Sequence, residues 1–125
     1  MPRHGEQTQV AIVDDDGSIR AALQGLLQEA GLTTCVFERA EEFLHSAKRY
    51  EIGCLITDIR MPGMSGLELQ SRLSAEHRGI PIIFITAHGD EEMRLRALRA
   101  GAVEFLAKPF DDQALIDSVR VALNR

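Results

Sequence analysis

Five times along this chain a short apolar run gives way to a stretch whose apolar residues recur every three or four positions. No other feature restricts the fold so much. The runs are VAIV (10–13), TTCVF (33–37), GCLIT (53–57), PIIFIT (81–86) and VEFLA (103–107). After the first, Ile19, Ala22, Leu23, Leu26, Leu27 and Ala30 share one helical face that ends at Gly31, a residue suited to a left-handed C-cap. Ala40, Phe43, Leu44 and Ala47 predict a short second helix. Leu69 and Leu73 lie in a third, which opens on a Ser65–Glu68 capping box and stops near Gly79. The fourth is expected from about Glu91 to Ala100. The fifth starts at Asp111 as N-cap and carries Leu115, Ile116, Val119 and Leu123 on one face. Apolar strands alternating with amphipathic helices predict an α/β fold: a parallel sheet covered on both faces and joined by right-handed crossovers. PIIFIT is the most apolar run and is expected at or next to the sheet centre.

The 125 residues suit a single domain over 1–125, with residues 1–8 as a flexible tail. Apolar residues make up 45% of the chain, enough for a packed core. Nineteen acidic against fourteen basic residues give a net charge of −5. That balance opposes direct nucleic-acid contact, which needs a basic face to displace counterions. The N-terminal MPRHGEQTQ lacks the apolar centre of a signal peptide. No run approaches the roughly 18 apolar residues of a spanning helix, so a soluble, cytoplasmic protein without membrane contact is expected. Cys35 and Cys54 fall in the second and third strands. With the first strand between them they stand about 10 Å apart, beyond disulfide reach, and two thiols are expected.

In a parallel sheet all strand C-termini lie along one edge, and sites form where the strand order reverses. Asp14 and Asp15 follow the first strand directly, and Asp58 follows the third. Should those strands be neighbours, three carboxylates converge. Two like charges about 4 Å apart repel by roughly 4 kcal/mol at an effective dielectric of about 20, so the cluster calls for a cation. Hard oxygen donors in an open site suit Mg²⁺. Asp16 is read differently, as the cap of the first helix together with Ser18. Thr86 ends the fourth strand and Lys108 the fifth, so a hydroxyl and an ammonium meet the acids at the same edge.

The residues DDD (14–16), DIRMPGMSG (58–66), ITA (85–87) and KPF (108–110) together resemble the receiver domain of bacterial two-component response regulators. The resemblance runs from about Val10 to Leu123, and ITAHGD and GAVEFLAKPF are most similar to the FixJ/NarL branch, whose members usually carry a C-terminal helix-turn-helix. No such segment is read in these 125 residues. The resemblance implies a flavodoxin-like (βα)5 sheet in the order 2-1-3-4-5. It makes Asp58 the phosphoacceptor for a sensor histidine kinase or a small acyl phosphate. It implies Mg²⁺ on Asp15, Asp58 and the main-chain carbonyl of Arg60, with Asp14 acting through water. Lys108 and Thr86 would each hold a phosphoryl oxygen, and the Lys108–Pro109 bond would be cis. Thr86 and Phe105 would form the switch. Such a domain catalyses only its own phosphorylation and dephosphorylation. The implied output is transcription through a DNA-binding domain outside this chain, or else a stand-alone receiver or phosphorelay intermediate.

Within that resemblance, the face made by the fourth helix, fifth strand and fifth helix is expected to form a phosphorylation-dependent homodimer. Met93, Ala97 and Ala100 would face the core, while Leu95 and Arg99 would share the exposed side. Glu104, Asp111 and Asp112 are placed to meet Arg94, Arg96 or Arg99 of a second copy. Two rivals fit less well. A flavodoxin-type flavin binder needs a neutral first loop around its phosphate, where this chain has DDDG. A haloacid-dehalogenase-like phosphatase needs a second Asp two positions after the nucleophile, where this chain has Arg60.

Overall fold

A computed structural model describes residues 9–76, 79–87 and 91–124, apart from the side chains of 48 and 49. The expected tail, 1–8, lies outside them, as does 77–78 before Gly79. The elements run β1 (Gln9–Val13), α1 (Gly17–Glu29), β2 (Thr33–Phe37), α2 (Ala40–Leu44), β3 (Ile52–Thr57), α3 (Gly66–Ala75), β4 (Ile82–Thr86), α4 (Glu91–Arg99), β5 (Glu104–Ala107) and α5 (Asp112–Leu123). The five strands are parallel in the order β2-β1-β3-β4-β5. The chain reverses its direction across the sheet between β1 and β3, so these two C-terminal ends flank the crevice.

Strand side chains point alternately to the two faces, and each face closes over its own core. Ala11, Val13, Leu55, Ile82 and Phe84 pack with Ala40, Phe43, Leu69, Leu73 and Ala97 from α2, α3 and α4. Val10, Ile12, Cys54, Ile56, Ile83 and Ile85 pack with Leu23, Leu27, Leu115 and Val119 from α1 and α5. Every residue of β4 is buried, in keeping with its place inside the sheet. Cys35 and Cys54 are both thiols. They sit on β2 and β3 with β1 between, and burial pushes the Cys54 thiol up to about 12.

The helix boundaries follow the caps. Asp16 accepts from the N–H groups of Ser18 and Ile19, at 2.8 and 3.3 Å. Ser65 and Glu68 close a reciprocal box at 3.1 and 3.0 Å, and Asp111 accepts from Ala114 N–H at 3.0 Å. Gly31 and Gly101 end α1 and α4 in the left-handed region. Three alanines depart from expectation. Ala22 is exposed on α1, Ala47 belongs to a separate 3-10 turn (Ala47–Glu51), and Ala100 lies exposed in the turn beyond α4. An alanine costs almost nothing on either face of a helix, so it extends an apolar stripe in sequence without marking burial.

Candidate functional site

The acids are brought together by strand register. Val13 is opposite Thr57, and the ladder continues one step past it, Asp58 N–H donating to the Val13 carbonyl at 3.2 Å. On the other side Asp14 N–H donates to the Phe37 carbonyl at 3.2 Å. Asp14 and Asp58 therefore leave the sheet side by side. Asp14 is buried, with Oδ1 accepting the Asp16 N–H at 2.9 Å. Asp15, between the buried acid and the helix cap, is exposed. Asp58 lies at the boundary of burial, its Oδ1 facing the Arg60 N–H at 3.3 Å.

Lys108 enters from the far side of β4. Its N–H continues the β4–β5 ladder to the Thr86 carbonyl at 2.9 Å, and the Lys108–Pro109 bond is cis. Its Nζ lies 3.0 Å from Asp58 Oδ2 and 3.3 Å from Asp14 Oδ2, joining the two acids. Burial raises the Asp14 carboxyl above its ordinary value, against the Asp16 hydrogen bond and the Lys108 charge. Burial alone would lower Lys108. The Asp58 hydrogen bond and the charges of Asp14 and Asp58 outweigh that, and its pKa lies above the ordinary lysine value. Thr86 ends β4 fully buried. Phe105 is opposite Phe84 on β5, half-buried, with ring centroids 6.3 Å apart.

Asp14, Asp15 and Asp58 each offer a carboxylate oxygen, and these oxygens lie within 4.8 Å of one another. Three carboxylates and one ammonium leave two formal negative charges on an all-oxygen donor set. That composition fits a hard divalent cation such as Mg²⁺. The structure thus gathers Asp14, Asp15, Asp58 and Lys108 at one edge, with Thr86 one strand away. Leu95 is half-buried and Arg99 exposed on α4. The arginines, however, do not act as one set. Arg94 pairs with Glu91 at 2.9 Å, whereas Arg96 and Arg99 border a groove toward α3 beside Leu67, Gln70 and Ser71.

Two contacts to the backbone at these strand ends involve residues that the sequence does not single out. Arg20 Nη1 donates to the Asp14 carbonyl at 2.6 Å, and Glu41 Oε2 accepts the Met64 N–H at 3.1 Å. Arg20 lies in the polar part of the α1 pattern, and Glu41 reads as a first-turn acid matched to the helix dipole. Neither position carries a sequence signal for a tertiary contact.

The model of the response regulator receiver domain matches residues 10–120. The chain belongs to that family. This receiver is similar to nodulation protein W of Bradyrhizobium diazoefficiens, 47% identical over 116 residues that make up 93% of this chain and 51% of that protein. It is also similar to the transcriptional regulatory protein FixJ of Azorhizobium caulinodans, 42% identical over 96% of this chain and 57% of that protein. The crystal structure of FixJ-N superposes with a TM-score of 0.86 at 41% identity, covering 94% of each chain. The response regulator StyR superposes with the same score, 0.86, at 52% identity, covering 93% of this chain and 59% of that one. The receiver spans about half the length of the curated relatives it matches. Receivers of this family are signalling modules that interact with histidine kinases. Among the described residues no helix is long and apolar enough to cross a membrane.

Proposed function

We propose that this receiver is a cytoplasmic phosphoacceptor: Asp58 takes a phosphoryl group from the phosphohistidine of a sensor histidine kinase. The observation that carries the reading is the placement of Asp58, between the Arg60 N–H on Oδ1 and the Lys108 ammonium on Oδ2. An Asp58 oxygen attacks phosphorus as the P–N bond breaks, and the electron pair leaves on the imidazole nitrogen. The product is an aspartyl phosphate. Charge builds on the phosphoryl oxygens in this step, and Lys108 is the fixed cation at hand to offset it. The Thr86 hydroxyl donates to a second phosphoryl oxygen. Asp15, Asp58 and the Arg60 carbonyl would hold Mg²⁺, with Asp14 acting through water. When bound, the ion supplies further neutralisation of the phosphoryl charge.

Movement of Thr86 toward the phosphoryl group opens space that the Phe105 ring can enter, so the α4-β5-α5 face is assigned as the output surface. FixJ is a transcriptional regulatory protein, which supports control of transcription as the output. Incubation with acetyl phosphate and Mg²⁺, read by intact mass, tests the reading. One phosphoryl group should be gained by the native chain and none by Asp58→Asn or in EDTA. A phosphoryl group on the Asp58→Asn protein overturns the assignment.

A further inference from the structure

The loop after β3, residues 59–65, carries Arg60 and leads into α3. Several of its ties are local. Arg60 N–H faces the Asp58 carboxylate at 3.3 Å, Gly66 N–H donates to the Ile59 carbonyl at 2.8 Å, and Ser65 N–H donates to Glu68 at 3.0 Å. A further tie comes from a different element. Glu41, in the first turn of α2, places Oε2 on the Met64 N–H at 3.1 Å, across 23 positions of sequence.

The contact is close as well as polar. A Cβ on Gly63 would overlap Glu41 Oε2, and Gly63 holds φ at +77°, in the left-handed region that disfavours L side chains. Glu41 Oε1 is buried and has no hydrogen-bond partner among the described residues. Withdrawing a carboxylate oxygen from water without a partner is unfavourable, and a first-turn acid can complement the helix dipole while staying solvated. The capping of α2 does not explain why Glu41 turns inward. The base of the contact is firm: Ala40 and Phe43 on either side are fully buried, and Glu42 accepts the N–H groups of Glu38 and Arg39 at 3.0 and 2.9 Å. The main-chain N–H groups of Glu41 itself and of Met64 hold the carboxyl below its ordinary range.

We propose that Glu41 is a positioning residue: from α2 it fixes the backbone of the loop that carries Arg60, and thereby sets the Mg²⁺ affinity of the site. The inference rests on the reading of Asp58 and Arg60 as the metal-binding segment. Glu41 touches neither metal nor phosphoryl group and acts through the Met64 amide. Removing a partner that orients metal ligands typically weakens metal binding roughly tenfold or more.

The test is a Mg²⁺ titration of the full chain followed by the amide resonances of Asp15 and Arg60, in parallel with acetyl phosphate labelling. Glu41→Ala should raise the half-saturating Mg²⁺ about tenfold, with labelling at saturating Mg²⁺ reaching its native extent. Glu41→Asp, too short to reach Met64, should resemble Glu41→Ala although its charge is intact. Glu41→Gln, which keeps the length and an acceptor oxygen, should restore near-native affinity. Native affinity in both Glu41→Ala and Glu41→Asp overturns the proposal. So does retention by Glu41→Asp with loss in Glu41→Gln, which would assign the effect to charge. A native chain that binds no Mg²⁺ removes the metal-site reading itself, and the positioning role with it.

Discussion

Lys108 concentrates the electrostatics of the acidic edge on one ammonium. It bonds Asp58 at 3.0 Å and Asp14 at 3.3 Å, and Asp14 has almost no contact with solvent. Lys108→Ala therefore leaves a buried carboxylate without its cation, a change on the order of 3 kcal/mol. In metal-free buffer, urea unfolding should show a loss of about that size, and Mg²⁺ should recover most of it by replacing the missing charge. Labelling of Asp58 by acetyl phosphate should nevertheless be slowed. A loss that Mg²⁺ leaves untouched would mean that Lys108 acts by packing. The pH dependence has a definite sign. The native pKa of Lys108 lies above its ordinary value, so its contribution is complete below about pH 10.5 and is lost as pH rises through the native value. The variant should lack that alkaline decline.

At the scale of the element, two glycines make opposite demands. Gly66 opens α3 directly beneath Asp58, and a Cβ there would overlap the Asp58 carbonyl oxygen, a backbone atom without freedom to move aside. Gly25 lies inside α1, where an added Cβ would meet nothing within 4 Å, and its φ is not positive. Gly66→Ala should destabilise by about 1–3 kcal/mol, the scale of overpacking, and impair labelling of Asp58. Gly25→Ala should stabilise by about 1 kcal/mol, because glycine inside a helix is that much worse than alanine. Urea midpoints of the two variants decide it, and a shared sign would contradict the packing described. The elements themselves are legible because their signals are local: Asp16, Ser65 and Asp111 cap in the structure as their spacing predicts. Ala22, Ala47 and Ala100 depart from the pattern because alanine carries little burial information. Glu41 is illegible because its partner lies 23 residues away and is a backbone N–H, which no sequence pattern records.

Across the whole molecule, four strand ends meet at one edge, so in the proposed switch a chemical event at Asp58 would reach β4 through Thr86 and β5 through Lys108 and Phe105. That convergence is legible in part because parallel order follows from the βα alternation, and the resemblance supplies the order 2-1-3-4-5. The surface of α4 is less legible. Helical spacing puts Leu95 and Arg99 together, yet Arg94 is already engaged by Glu91, and Arg96 and Arg99 turn to the groove beside α3. Leu95 stands as the apolar centre of the proposed α4-β5-α5 contact, and Glu104, Asp111 and Asp112 would meet the arginines of a second copy only as these leave Glu91 and the groove. Beryllofluoride with Mg²⁺, which mimics an aspartyl phosphate, should shift sedimentation from monomer toward dimer, and Leu95→Asp should abolish the shift. An unchanged shift in that variant would place the contact elsewhere. The proposed signalling role depends on one covalent bond. Labelling with acetyl phosphate followed by borohydride reduction converts an aspartyl phosphate to homoserine, which peptide mass spectrometry locates. Homoserine at position 58 alone is expected; homoserine at 14 or 15, or at no position, would contradict the assignment of Asp58 as the phosphoacceptor.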